Sequence, residues 1–173
     1  AGSAQAVMLE YSGNNFTSIT INGLNTPSDS YTTSDSVQGW IELASMLGPN
    51  LSEQTVTPLA FSFSDGVNTL TNSNTNSSSF RFSTDALGMP TEWEFFAEAF
   101  FPTDGNGSVK TIQSIYRPSD PRGGGLDDGR DVLCGLTSTT TTCSFAGDTY
   151  YDQRGVVSNN PGIWEYRTND VPA

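Results

Sequence analysis

Most of this chain alternates between apolar and polar residues with a period of two. Val7, Leu9 and Tyr11 fall on one side of "VMLEYSG", and Met8 and Glu10 on the other. "SVQGWIEL" gathers Val37, Gly39, Ile41 and Leu43 and leaves Trp40 and Glu42 opposite, while "SFRFST" turns Phe80 and Phe82 one way and Arg81 the other. Successive side chains of a strand point to opposite faces, so this pattern predicts strands with one buried and one wet face. In "TEWEFFAEAFF", residues 91–101, Glu and Ala favour helix whereas Trp and Phe favour strand. The unbroken row Trp93, Phe95, Ala97, Ala99 and Phe101, set against Glu92, Glu94 and Glu98, decides for a long central strand. "VKTIQSIY", "TCSFAG" and "GIWEYRT" predict three more.

Turn chemistry punctuates these runs. In "FSFSDGVNTLT", residues 61–71, an Asp-Gly pair between two alternating runs predicts a hairpin with a type I′ turn. "TNSNTNSSS" reads as a connection between strands 67–71 and 79–84. "RPSDPRGGGLDDGRD", rich in Gly, Pro and Asp, reads as a display loop outside any strand interior. Roughly ten short strands with turns at regular spacing predict an all-β fold, a jelly-roll-like β-sandwich with mainly antiparallel strands, in one domain over 1–173.

Charge narrows the partners. Seven Lys plus Arg stand against 19 Asp plus Glu, giving a net charge of −12, and the single lysine is Lys110. Binding to phosphate backbones needs basic surface, so nucleic acid and anionic lipid are disfavoured, and divalent cations are favoured. The absence of histidine removes the usual general base and the commonest transition-metal ligand. No run is long and apolar enough to span a bilayer. Cys134 and Cys143, within "CGLTSTTTTC", read as a disulfide pinning a hairpin, which implies an oxidising compartment. The opening "AGSAQA", with its Ala4-Gln5-Ala6 pattern, reads as a processed start.

Several residue groups invite a chemical reading. Glu92 and Glu94 lie two apart on one strand face, at a separation that would suit the two carboxylates of an inverting glycosidase, although outward Glu on an apolar strand also guards against aggregation. "TDGNGS" places Asp104, Asn106 and Ser108 at the alternating positions of a calcium loop, but Val109 and Ile115 stand where the loop needs Gly and Glu, so a hairpin turn accounts for it better. Asp120, Asp127, Asp128 and Asp131 flank the triple glycine and form a weak calcium candidate; no other cofactor is expected. Trp40, Tyr150, Tyr151, Trp164 and Tyr166 would suit stacking on sugars, or filling the core. Asn15, Asn50, Asn76 and Asn106 head Asn-X-Ser/Thr triplets, which a composition rich in these residues produces by chance.

"YSGNNFT", "YTTSDSVQG", "VTPLAFSFSDGVNTLT", "FRFSTDALGMPTEWEF" and "SNNPGIW" together resemble secreted bacterial surface proteins of the exosortase-sorted, PEP-CTERM type. The resemblance covers about residues 7 to 168, and its motifs are turn and strand signatures without catalytic residues. It implies export and an extracellular or cell-surface location. The family's sorting tail, Val-Pro-Glu-Pro followed by an apolar helix and a basic end, is not seen at Val171-Pro172-Ala173, so this form is expected to lack a membrane anchor. The leading expectation is a non-catalytic extracellular structural protein that associates with itself, as a fibre or coat subunit. Residues 1–13, with Val7, Leu9 and Tyr11 as the apolar side, are the candidate for strand exchange between subunits. The alternatives are a module that binds extracellular polysaccharide with calcium and, less favoured, a glycoside hydrolase.

Overall fold

The computed structural model of the chain describes residues 6–21, 30–103, 106–118, 124–134 and 153–167, with 101–103, 106–108 and 132–134 as backbone only. Its strands are β1 (Val7–Asn15), β2 (Ser18–Ile21), β3 (Ser36–Leu43), β4 (Gln54–Thr55), β5 (Ala60–Ser64), β6 (Thr69–Thr71), β7 (Ser77–Thr84), β8 (Pro90–Thr103), β9 (Asn106–Tyr116), β10 (Leu126–Cys134), β11 (Gln153–Ser158) and β12 (Ile163–Tyr166). They form two packed sheets, one of order β12-β1-β3-β5-β6 and one of order β2-β11-β10-β9-β8-β7-β4. Every strand pairing among the described residues is antiparallel. The chain is a β-sandwich.

The period-two pattern sets the packing. Leu9, Tyr11, Val37, Ile41, Phe61, Phe63 and Leu70 point from the five-stranded sheet into the core, and Phe80, Phe82, Trp93, Phe95, Ala97 and Ala99 meet them from the seven-stranded sheet. Phe63 stacks on Phe95 with ring centroids 4.2 Å apart, and Trp164 meets Phe82 and Phe95 edge-on. Burying each such side chain contributes on the order of 1.5–3 kcal/mol, and these rings carry most of the sandwich's cohesion. Gly39 is needed for close approach: a Cβ there would collide with the Phe63 ring and the Ser62 carbonyl.

Two local expectations are corrected. The stretch Leu126–Cys134 is the interior strand β10, hydrogen-bonded to β9 from Leu126↔Ile115 to Cys134↔Gly107 and to β11 from Leu126↔Ser158 to Asp131↔Gln153. Its inward acidic residues, Asp127 and Asp131, disguise a strand because their partners lie on other strands. The Asp65-Gly66 connection is not a two-residue type I′ hairpin, since Ser64 pairs with Thr69 and four residues intervene. Only Gly66 has positive φ, at 94°. Asp65 instead turns its carboxylate inward, where Oδ1 accepts from the backbone N–H of Val67 and Asn68 at 3.0 and 2.6 Å.

Candidate functional site

The inner face of the seven-stranded sheet changes character between β8 and β11. In register across β9, β10 and β11 run two inward rows, Ser114–Asp127–Val157 and Lys110–Asp131–Gln153, separated by the row Ile112–Gly129–Gly155. Ser114, Asp127, Asp131 and Gln153 are buried. This polar half of the core faces β1, β3 and the β5–β6 corner, and it falls into two clusters.

The first cluster is a relay. Trp93 Nε1 donates to Ser114 Oγ at 2.8 Å, Ser114 Oγ donates to the Tyr11 hydroxyl at 2.9 Å, and that hydroxyl donates to the Asp127 carboxylate at 2.7 Å. The Tyr11 oxygen also accepts from the backbone N–H of Gly162 at 2.9 Å, tying β1 to the approach to β12. Gly13 makes room for Asp127, since a Cβ there would lie 2.6 Å from Oδ2. Burial pushes the Asp127 carboxyl up to about 6 even though Ser114 and Tyr11 hydrogen bonds pull the other way, with the neighbouring Asp128 charge adding to the rise. Burial, then the Asp127 charge, holds the Tyr11 phenol above its ordinary range.

The second cluster gathers Tyr31, Asp65, Asn68, Lys110, Asp131 and Gln153. The Tyr31 hydroxyl donates to Asp65 Oδ2 at 2.6 Å and accepts from Asn68 Nδ2 at 3.2 Å, while its backbone N–H donates to Gln153 Oε1 at 3.0 Å. Lys110 Nζ lies 2.5 Å from Asn68 Oδ1 and 3.4 Å from Asp131 Oδ2. Gly129 seats the Asp65 side chain, because a Cβ there would lie 2.6 Å from its Oδ2. Asp65 is 0 % exposed, and burial raises its pKa against hydrogen bonds from Tyr31, Asn68 and Val67. Burial and the Asp65 charge likewise raise the Tyr31 phenol. Asp131 Oδ1 is buried without a hydrogen-bond partner among the described residues.

The acidic residues singled out in sequence are thereby separated. Asp127 and Asp131 face the core in different clusters. Asp128 points to the outer face, where Arg130 Nε and Arg154 Nη2 reach its Oδ2 at 2.6 and 2.7 Å and Gln113 adds a third donor. Asp120 lies outside the described residues. Among the described residues no group of three or more His, Cys, Asp or Glu is placed to hold a metal, so β10 does not assemble the calcium set. Glu92 and Glu94 face outward over a shallow dent, with Ser83 bonded to Glu92 and Arg117 and Arg81 paired to Glu94. Trp164 and Tyr166 fill the core and Trp40 is half-buried on the outer face, while Tyr150 and Tyr151 lie outside the described residues. Cys143 lies outside them too, and Cys134 is described as backbone only. Val7, Leu9 and Tyr11 are buried in their own sandwich, with β1 held between β3 and β12.

Pattern reading passed over Tyr31, Asp65, Asn68 and Lys110. Lys110 carried a usable signal, for it is the single lysine and shares strand parity with Ile112. No family model, curated protein or solved structure matches the chain.

Proposed function

We propose that the chain is a non-catalytic structural subunit of an extracellular or cell-surface assembly, of the exosortase-sorted kind its turn motifs resemble. The observation that carries this reading is the open side of β12. Among the described residues β12 pairs in the five-stranded sheet with β1 alone, and beside it Met46, Leu87, Met89 and Tyr166, together with Glu10, Glu165 and Arg167, line a groove in which Leu87 is 80 % exposed. Ile163, on β12 itself, is 56 % exposed. A strand with one open edge and exposed apolar side chains nearby is a template for strand addition from another copy, and head-to-tail addition propagates a filament. The hydroxyl- and amide-rich outer positions, such as Ser77, Ser78 and Ser79 on β7, suit a surface that stays in water.

The test is electron microscopy of the native secreted material, paired with light scattering of the purified chain across a concentration series. Ordered filaments or concentration-dependent growth support the proposal. Monodisperse single particles at every concentration would overturn it.

A further inference from the structure

Lys110, the single lysine, reaches both a carboxamide and a carboxylate. Its Nζ approaches the carboxamide oxygen of Asn68, at 2.5 Å, more closely than the Asp131 carboxylate, at 3.4 Å. With a C=O length of about 1.23 Å, Nζ is then at most about 3.7 Å from Asn68 Cγ, close to the separation of a near-attack conformer. The Asn68 side chain is held for this approach: Nδ2 donates to the Tyr31 hydroxyl at 3.2 Å and to Asp65 Oδ2 at 3.5 Å, and its backbone N–H is fixed on Asp65 Oδ1. Two carboxyl groups thus flank the pair, Asp131 on the amine side and Asp65 on the amide side.

We propose that Lys110 and Asn68 condense, without any added reagent, into an intramolecular amide bond that staples the two sheets together. The Lys110 ammonium gives one proton to Asp131, whose Oδ2 it faces at 3.4 Å and whose buried Oδ1 has no hydrogen-bond partner among the described residues. The resulting amine attacks Asn68 Cγ, forming the Nζ–Cγ bond and a tetrahedral centre. The Cγ–Nδ2 bond then breaks with its electron pair on nitrogen; the Asp65 carboxylate, 3.5 Å from Nδ2, relays the second Nζ proton to the departing nitrogen, and Asp131 returns the first, so that the group leaves as ammonium. Alkylammonium plus carboxamide becomes secondary amide plus ammonium, with nothing oxidised or reduced. The bond joins Asn68, at the β5–β6 corner, to the middle strand β9 of the facing sheet, where Lys110 stands between Ala99 and Asp131. The reaction runs once per chain, and the proposal stands whether or not the chain assembles.

Intact-mass spectrometry of the full chain, reduced, alkylated and denatured, reads the bond directly. The wild-type chain is expected about 17 Da below its sequence mass, the mass of one ammonia, and fragment spectra should join the peptides carrying Asn68 and Lys110. An amine-reactive reagent on the denatured chain should then label the N-terminus only. Lys110→Arg, which keeps the charge but offers no acylatable amine, and Asn68→Ala should both show the full sequence mass. Asp131→Asn should keep the wild-type circular dichroism and lose the mass deficit. Folded wild-type chain at full sequence mass overturns the proposal, independently of whether any variant folds. A deficit that persists in Lys110→Arg also overturns it, because it would report cyclisation of the asparagine onto its own backbone.

Discussion

The buried carboxyl of Asp127 gives this protein a pH dependence opposite in sign to that of an ion-paired aspartate. Its pKa in the fold is about 6, against about 3.9 in an unfolded chain. Between those values the folded state binds more protons than the unfolded one, so stability rises as pH falls through 6 and levels off below 4. Above pH 6 both states are ionised and the fold bears the full cost, about 3 kcal/mol at 1.36 kcal/mol per unit of difference. Over an accessible range, from about pH 8 down to about pH 5, the gain is roughly 1.4 kcal/mol, or about 3–5 °C in Tm for a chain of this size. Asp65, also raised by burial, adds in the same direction, and so does relief of repulsion among the 19 acidic residues. The quantity to measure is therefore the difference between wild type and Asp127→Asn, which keeps the shape and an acceptor for Tyr11 but cannot titrate. Urea denaturation at the two pH values should show a wild-type gain larger than that of Asp127→Asn by about 1.4 kcal/mol. Equal gains would refute the assignment of the cost to this carboxyl.

Other perturbations test other layers. Tyr11→Phe leaves the Gly162 N–H without its acceptor and Asp127 without its closest donor; a loss of about 1.5–3 kcal/mol is expected in denaturant unfolding above pH 6, and less below it. Gly39→Ala drives a methyl into the Phe63 ring, and thermal unfolding should register a cost of roughly 1–3 kcal/mol for overpacking. Ile163→Lys on the open edge should leave Tm unchanged while suppressing self-association in light scattering, because its side chain already faces water. If Lys110 and Asn68 are joined, two residues 42 positions apart are closed into a loop; Lys110→Arg should then lose about 4 kcal/mol, or roughly 8–16 °C in Tm.

The sequence by itself determined the fold class and the faces of the strands that have one wet side. Val7, Leu9 and Tyr11, or Trp93, Phe95, Ala97 and Ala99, alternate strictly because an apolar core on one side and water on the other impose a period of two. That logic stops where the interior is itself polar. In "LDDGRD" every second residue faces the core, yet the inward ones are Asp127, Gly129 and Asp131, so hydropathy reads a loop where an interior strand lies. Their burial is tolerable only because Tyr11, Ser114, Lys110 and Gln153 supply donors and Gly129 leaves room for Asp65. Those partners are 13 to 116 positions away along the chain, and no local pattern encodes them. Tertiary structure alone decided that Lys110, one residue in a strand, would meet Asn68 beside a turn, because that meeting depends on how two sheets are stacked, a relation that the order of residues within a single strand does not contain.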